Sequence, residues 1–465
     1  MAMKRFFLIL ALSVFWLSAC VEIVYLPLDT PTPDGGESTP LPVPSNTPAP
    51  IPTQAPDLGV STEALQGLTI SLWHGLDGSQ ARLLAQMAAE FSLTNPWGIT
   101  VQVRGWENLS ALEQAARSSQ TGEGLPEILL SMPEQALAWD EESLLAEMNP
   151  YISSPEFGFT QADLNDFPAG IWRQDEVDGR RLGIPAIRST RVLFYNVSWA
   201  RELGFEQEPQ TAEEFREQAC AANAIFRQDA DEANDGYGGL VLDGDPWTAY
   251  SWFRAFGGEV AADGAFDFEL EENGATLDFL SELREDGCAW LTSDLTAYHH
   301  LAGRKALFIS GNLSEIAAQN AAILAAGSQD VWTVLPFPGT QRAVIAYGPS
   351  FVLTKTSPAR QLAGWLLIRW LVSSENQTRW AEESGFLPVR FSALDLVRNP
   401  SMQWQAASTL VQQMGNYPQL AGWRTARRVL GDGFYNFFVL GLSKESVLAE
   451  MQKTVDQINV QEPQE

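Results

Sequence analysis

The segment that most constrains the fold is residues 183–196, a bend followed by a run of branched and aromatic residues. Pro185 fixes the bend. Residues 188–190 form a short polar step, and residues 191–196 favour a strand. A chain of 465 residues is too long for one typical core, so we expect two lobes with this segment crossing between them. The polar step would then lie where the lobes meet, which is where ligand clefts tend to be.

Alternating apolar and polar residues predict the strands on either side of this crossing. Residues 68–72, 99–103 and 127–131 have a strand pattern, and helical spacing separates them. This β-α-β-α-β order is typical of a mostly parallel sheet covered by helices, with ligand groups at the carboxyl ends of its strands. After residue 196 the pattern restarts, and a strand over 344–353 is interrupted at Gly348. The fold class is therefore predicted to be α/β.

The N-terminal residues predict export. Lys4 and Arg5 precede an apolar stretch, residues 6–16, that is too short to span a bilayer as a helix, and residues 17–20 read Leu-Ser-Ala-Cys. This resembles a bacterial lipoprotein signal over residues 1–19, with Cys20 lipidated; the alternative is an ordinary signal peptide with an incidental cysteine. Residues 20–66, rich in Pro, Thr and Ser, would form a disordered linker. We expect the protein to be anchored by lipid to the outer face of the cytoplasmic membrane, or to be periplasmic.

Charge and the missing motifs exclude several functions. Acidic residues outnumber basic ones by 58 to 29, without a basic cluster, which disfavours a nucleic-acid partner. The sequence contains no phosphate-binding P-loop, no H-E-x-x-H and no G-x-S-x-G, so no enzyme activity and no cofactor are predicted. A glycosidase carboxylate pair stays open, because an acidic chain offers many candidates.

The cysteines and histidines predict no metal site. Cys220 and Cys288 either pair as a disulfide or remain separate buried thiols, and with only three histidines they make a poor zinc set. His299 and His300 are interpreted as a surface pair. Residues 229–239, rich in Asp, Asn and Gly, lack the ligand spacing of an EF-hand and are predicted to form a turn.

Tryptophan is the residue type that points to a ligand. Of 16 tryptophans, Trp73, Trp106, Trp247 and Trp252 fall at predicted strand ends or on a helix beside a Gly-rich turn. A sugar ring presents C–H groups to an aromatic face, while its hydroxyls need fixed donors and acceptors around it. Core packing is the alternative for each tryptophan.

Several short segments, in a shared order, resemble the carbohydrate-type extracellular solute-binding proteins that feed ABC importers. They are residues 70–74, 184–185 with 189–196, 256–258, 332–336 and 384–388. The resemblance implies a type II periplasmic-binding-protein fold, in which two α/β lobes joined by crossing strands close on a ligand. It implies a first lobe from 67–186 plus 348–392 and a second from 187–347 plus 393–465. The implied partners are a small-molecule carbohydrate and ABC permease subunits in the membrane, and the protein would be a monomer.

Within that family, the glycerol-phosphate binders look most similar around residues 189–190. The chain departs from them at Trp106 and Phe386, which replace tyrosines, and at residues 132–133, which lack their glutamate. The loss of these hydrogen-bonding groups favours a sugar or oligosaccharide as the ligand over glycerol 3-phosphate or a glycerophosphodiester. The alternative from a different functional class is a glycan-acting enzyme or surface adhesin with the same fold. Arg188 and Arg191 are interpreted as hinge or surface charges. The predicted ligand-binding residues are Trp73, His74, Trp106, Ser189, Thr190, Trp247, Trp252, Ser310, Gly348, Phe386 and Arg424.

Overall fold

The computed structural model describes residues 58–119 and 124–459. The predicted signal peptide, Cys20 and the linker up to residue 57 lie outside the described residues. Within the described ranges, no helix combines the length and the apolar character needed to cross a bilayer.

Strands and helices alternate through most of the described chain. The strands are β1 (Thr69–His74), β2 (Thr100–Gly105), β3 (Ile128–Ser131), β4 (Glu176–Val177), β5 (Arg180–Arg181), β6 (Gly183–Pro185), β7 (Ser189–Asn196), β8 (Leu240–Leu242), β9 (Ala261–Ala262), β10 (Ala265–Phe266), β11 (Ala289–Leu291), β12 (Phe308–Asn312), β13 (Trp332–Leu335), β14 (Ala346–Tyr347) and β15 (Ser350–Leu353). The helices are α1 (Gly78–Thr94), α2 (Leu109–Ser119), α3 (Pro133–Glu141), α4 (Asn149–Ile152), α5 (Gln161–Asn165), α6 (Ala169–Arg173), α7 (Val197–Glu202), α8 (Ala212–Arg227), α9 (Pro246–Ala255), α10 (Glu271–Glu285), α11 (Tyr298–Ala302), α12 (Ile316–Ala325), α13 (Pro358–Leu371), α14 (Ser374–Ser384), α15 (Phe391–Leu394), α16 (Met402–Ser408), α17 (Trp423–Phe438) and α18 (Lys444–Asn459).

Two main sheets form the centres of two α/β lobes. The first has the order β2-β1-β3-β15-β6, with β1 parallel to β2 and β3. The second has the order β11-β8-β12-β7-β13, with β8 parallel to β11 and β12 and with β7 antiparallel to β12 and β13. The predicted fold class, two α/β lobes joined by crossing strands, is confirmed.

The chain passes between the sheets where the sequence predicts a crossing. Strand β6 lies in the first sheet and β7 in the second; β14 pairs with the start of β7, and β15 returns to the first sheet. A third pass is held by the backbone of Leu387, which exchanges hydrogen bonds of 2.8 and 3.2 Å with Arg188. Gly348 has a φ of 151°, and a Cβ there would lie 2.4 Å from the Ile187 carbonyl oxygen. The close approach of two crossings therefore explains this glycine.

The hydrophobic core explains where the folded chain begins. Leu65 is fully buried in the cluster around the first sheet, and Leu58 and Val60 pack against the same cluster. The linker predicted to extend to residue 66 is therefore too long: residues 58–66 belong to the folded part, because their apolar side chains cover the core.

Arg188 is buried at the crossing between the lobes, so of the two predicted alternatives, hinge or surface charge, the structure excludes the surface charge. Its side chain is 0% exposed and donates hydrogen bonds to Asp175 Oδ2 at 3.0 Å and to Gln174 Oε1 at 2.8 Å. It also donates to the Pro349 carbonyl at 2.7 Å and to Ser350 Oγ at 2.9 Å. Arg188 thus links the first crossing to the second through fully paired donors.

Arg191 is also mostly buried, within the second lobe. Its guanidinium lies 3.4 Å from Asp243, 3.8 Å from Asp245 and 3.8 Å from Glu315. Burial acts to lower the pKa of Arg191, but the three carboxylates outweigh it and raise the pKa. The residue is therefore a permanent internal cation.

Cys220 and Cys288 form a disulfide with an S–S distance of 1.99 Å. Cys220 lies on α8, and Cys288 precedes β11. The bond ties a helix that covers the second sheet to the edge of that sheet. Of the two alternatives left open by the sequence, the structure contains the pair.

Candidate functional site

The carboxyl ends of the parallel strands bring polar residues of both lobes toward the crossings. In the first lobe, β3 ends at Ser131 and is followed directly by Glu134 in the first turn of α3. In the second lobe, β8 is followed by Asp243, and α9 begins at Pro246 because the Asp245 carboxylate caps the backbone N–H groups of Trp247 and Thr248. These strand ends form the candidate site.

Glu134 is the most distinctive group of the site. Its side chain is 2% exposed, and its Oε2 accepts a hydrogen bond of 2.9 Å from the Tyr417 hydroxyl. Its Oε1 is buried without a hydrogen-bond partner among residues 58–119 and 124–459. Burial raises the pKa of Glu134, opposed in part by the positive charges of Arg427 and Arg424. A buried acceptor of this kind is costly unless a ligand pairs with it.

An aromatic cluster lies beside this carboxylate. Trp247 stacks on Tyr347 with ring centroids 4.3 Å apart and planes 12° apart. It also makes edge contact with Tyr417 at 5.3 Å. The Arg427 guanidinium lies 4.5 Å over the Trp247 ring, and the buried Nε of Arg427 donates to no described residue. The cluster thus offers one unpaired acceptor on Glu134 and one unpaired donor on Arg427.

Arg424 joins the two lobes next to this cluster. Its Nη1 donates to Glu113 Oε2 on α2 at 3.1 Å, and its Nη2 contacts Ser110 on the same helix. Arg424 belongs to α17, which packs against α9 of the second lobe, whereas α2 packs against β1 of the first sheet. The lobes are therefore in contact across the cleft.

Ser189 and Thr190 lie at this junction, as the sequence predicts for the polar step. Both are buried, and in the backbone register they pair with Tyr347 and Ala346 of β14. Ser310 lies deeper in the second lobe. Its hydroxyl contacts Asp243, Thr248 and Arg191, so its hydrogen bonds are used internally.

Trp73 and Trp106 pack against each other, with ring centroids 5.2 Å apart. They line a groove of about 460 Å³ with residues 111, 114 and 115 of α2, whereas Ser110 and Glu113 on another face of that helix contact Arg424. The Arg104 guanidinium lies 4.1 Å over the Trp106 ring. The predicted aromatic platform and the predicted Arg424 contact therefore use different faces of α2.

Three other predicted residues have structural roles. Trp252 packs against Phe215 and Phe337 at 5.6 and 5.1 Å. Its side chain is only 2% exposed, which corrects the prediction that it contacts ligand, because almost none of the ring is accessible. His74 is buried and its Nδ1 accepts the Leu76 N–H at 3.1 Å, which fixes the turn after β1. Burial lowers the pKa of His74. Phe386 is half-buried against the core of the first lobe.

The sequence reasoning missed Glu134, Tyr347, Tyr417 and Arg427. The carboxyl end of the predicted strand 127–131 was a signal for Glu134, which comes directly after residues 132–133, where the sequence lacks the glutamate of the glycerol-phosphate binders. Arg427 lies one helical turn after Trp423, so helical spacing was a weak signal. Tyr417 comes from a segment 283 residues away from Glu134, and nothing local indicates that contact.

Comparison with known proteins gives consistent matches. Residues 86–412 match the family model described as bacterial extracellular solute-binding protein. The sn-glycerol-3-phosphate-binding periplasmic protein UgpB of Escherichia coli K12 is 21% identical over 369 residues, covering 76% of this chain and 82% of that protein. The sugar-binding protein MalE of Xanthomonas citri superposes with a TM-score of 0.74 at 22% identity, covering 84% of this chain and 98% of MalE. UgpB of Mycobacterium tuberculosis, in complex with glycerophosphocholine, superposes with a TM-score of 0.67 at 18% identity, covering 84% of this chain and 99% of that protein.

Proposed function

Because the chain belongs to the bacterial extracellular solute-binding proteins, we propose that it captures a sugar or oligosaccharide between its lobes and delivers it to an ABC permease. One observation carries the choice of site: the buried Oε1 of Glu134 lacks a partner within the described part of the chain and lies at the junction of the lobes. A hydroxylated ligand would donate to that oxygen.

The neighbouring groups support a sugar. Carbohydrate binding combines aromatic surface with a few fixed donors and acceptors. Trp247, Tyr347 and Tyr417 supply the aromatic surface, and Glu134 and Arg427 supply the unpaired acceptor and donor. Ser189 lies at the same junction. We propose these residues as the centre of the site, with the Trp73–Trp106 groove as a second aromatic surface for longer ligands.

A glycerophosphate ligand is the second candidate, supported by the guanidinium groups of Arg424 and Arg427 and by the two UgpB relatives. Phosphate recognition uses such guanidinium forks. Glu134 does not discriminate between the two ligands, because glycerol hydroxyls would donate to its carboxylate as sugar hydroxyls would. The aromatic surface around Trp247 favours the sugar. An enzyme or adhesin on the same fold is the third candidate, and turnover of a bound glycan would support it.

Capture would follow from closure of the lobes. A ligand shifts the equilibrium only by interactions that exist in the closed state and not in the open one. Glu134 of the first lobe and Arg427 of the second would contact the same ligand, and the Arg424–Glu113 ion pair adds a protein contact to the closed state.

We also propose that Cys20 carries the lipid, that the protein works as a monomer, and that the chain changes lobe near residues 186–188, 347–349 and 385–390.

A thermal-shift screen tests the ligand class. The mature protein is incubated with maltose, maltotriose, longer oligosaccharides, glycerol 3-phosphate and glycerophosphocholine. A ligand at about 100 times its Kd stabilises by about 2.7 kcal/mol, so we expect a clear rise in melting temperature with at least one saccharide. A rise with the glycerophosphates alone would replace the sugar proposal by the second candidate.

We expect Glu134→Gln to weaken the binding of that saccharide by about 1.5–3 kcal/mol, because an amide cannot provide the charged acceptor. Isothermal titration calorimetry measures the change. The matched control is Glu141→Gln, which alters an exposed carboxylate on the same helix, α3, and should leave the affinity unchanged.

A second variant, Trp106→Ala, tests which of the two candidate surfaces binds the saccharide. Loss of a stacking platform costs about 1–3 kcal/mol, by analogy with bases stacked on aromatic rings. If this variant weakens binding while folded Glu134→Gln binds normally, the site lies in the Trp73–Trp106 groove instead of at Glu134.

A further inference from the structure

Two histidines and an aspartate converge at the edge of the second sheet, outside the proposed solute site. Asp294 lies in the loop that follows β11, and His299 and His300 lie on α11. The Oδ2 of Asp294 lies 3.2 Å from His299 Nε2 and 2.9 Å from His300 Nε2. The three ligand atoms lie within 4.8 Å of one another. The sequence predicts a surface histidine pair; His299 is exposed as predicted, whereas His300 is buried, and the loop brings the Asp294 carboxylate to both rings.

From this geometry we propose that Asp294, His299 and His300 bind a zinc ion. Zinc prefers imidazole nitrogen and carboxylate oxygen at about 2.0–2.2 Å in a tetrahedral arrangement, which places ligand atoms about 3.3 Å apart. The observed spacings of 3.2 and 2.9 Å are close to that value. A small adjustment of exposed side chains is enough to complete the set, and the fourth position is open to water.

The surroundings hold the ligands in place before a metal arrives. The His300 ring is buried and meets the Trp290 ring edge-on at 4.8 Å. Thr292 Oγ1 donates to Asp294 Oδ2 and accepts the Asp294 N–H, both at 3.1 Å. His299 and Asp294 are about half exposed, at 57% and 47%, so an ion reaches the site from solvent without unfolding.

Two features predict moderate affinity. The buried Nδ1 of His300 has no acceptor among the described residues, and loss of such an outer hydrogen bond typically weakens metal binding by about 10–100-fold. Lys305 lies 4.8 Å over the Tyr237 ring, which is itself a neighbour of His300, and its charge opposes a cation. We expect a dissociation constant for Zn²⁺ in the micromolar range, with protons released on binding.

Calorimetric titration of the EDTA-treated, dialysed mature protein with ZnCl₂ tests the site. We expect one ion per chain, and at least tenfold weaker binding in His299→Gln and in Asp294→Asn; both side chains are exposed, so neither change removes core packing. The control is Asp263→Asn, which changes an exposed carboxylate between β9 and β10, outside the cluster, and should retain the zinc binding of the original chain.

The melting temperature gives a second readout that does not depend on solute. Zinc should raise it in the original chain and not in His299→Gln. Absence of one-to-one binding in the original chain would overturn the proposal. So would equal zinc affinity in the original chain and in both folded variants, since the ion would then be bound elsewhere.

Discussion

Replacing Arg188 with methionine should lower the free energy of unfolding by about 3–5 kcal/mol, because it removes one partner of a buried ion pair. Asp175, whose side chain is 1% exposed, would lose its cationic partner. The carbonyl of Pro349 and the hydroxyl of Ser350 would lose their shared donor at the same time. Urea unfolding followed by circular dichroism measures the loss.

The matched control is Arg398→Met, which makes the same substitution at an arginine whose side chain is 81% exposed and pairs with Glu382. An exposed pair contributes about 0–1 kcal/mol, so this variant should unfold almost as the original chain does. Equal losses in the two variants would show that the buried pair at the crossing has no special role.

A double variant isolates the cause of the loss. Arg188→Met combined with Asp175→Leu leaves no buried charge, and replacing a whole buried pair by apolar residues is often neutral or stabilising. We expect the double variant to regain part of the stability lost in Arg188→Met. If it is less stable than the single variant, the hydrogen bonds of Arg188 to the second crossing matter more than the unpaired charge.

Removing the disulfide is the second change with a large expected effect. Cys220 and Cys288 are 68 residues apart in sequence. In the chain-entropy model, closing a loop of that length lowers the entropy of the unfolded chain and so raises the free energy of unfolding by about 4 kcal/mol at 25 °C. The double variant Cys220→Ala/Cys288→Ala should therefore unfold at a clearly lower urea concentration. Calorimetric melting checks the same loss through the melting temperature.

Reduction of the original chain provides the control for this prediction. Dithiothreitol should lower the stability of the original chain toward that of the double variant, and should leave the double variant unchanged because it has no pair to reduce. A double variant as stable as the oxidised original chain would contradict the prediction.

The overall fold could be predicted because its signals are local. Alternating apolar residues indicate the strands of the first sheet, and Pro185 and Gly348 mark the two crossings. These patterns follow from side-chain geometry within one strand or helix, so they do not depend on distant parts of the chain. The position of Ser189 at the junction of the lobes was predictable for the same reason, because Ser189 lies at the start of the strand that follows the crossing.

The centre of the candidate site was not predictable in this way, because its contacts join distant segments. The Glu134–Tyr417 hydrogen bond spans 283 residues, and the stacking of Trp247 on Tyr347 spans 100. A sequence pattern indicates which residues can pair, but it does not give the direction of a side chain at the end of a strand or in a loop. Trp252 is an example of a predicted contact that the structure does not contain. It lies beside a Gly-rich turn in sequence, yet it belongs to the core, where it packs against Phe215 and Phe337.

The sequence by itself therefore determined the order of strands and helices, the crossing at residues 183–196 and the family. The tertiary structure decided which charges are buried and what they face. Arg188 and Arg191 have similar local surroundings in sequence, yet one links the two crossings and the other lies among the carboxylates of the second lobe. Charge burial depends on what the rest of the chain packs around a residue, and that environment exists only after the lobes and their loops have folded together.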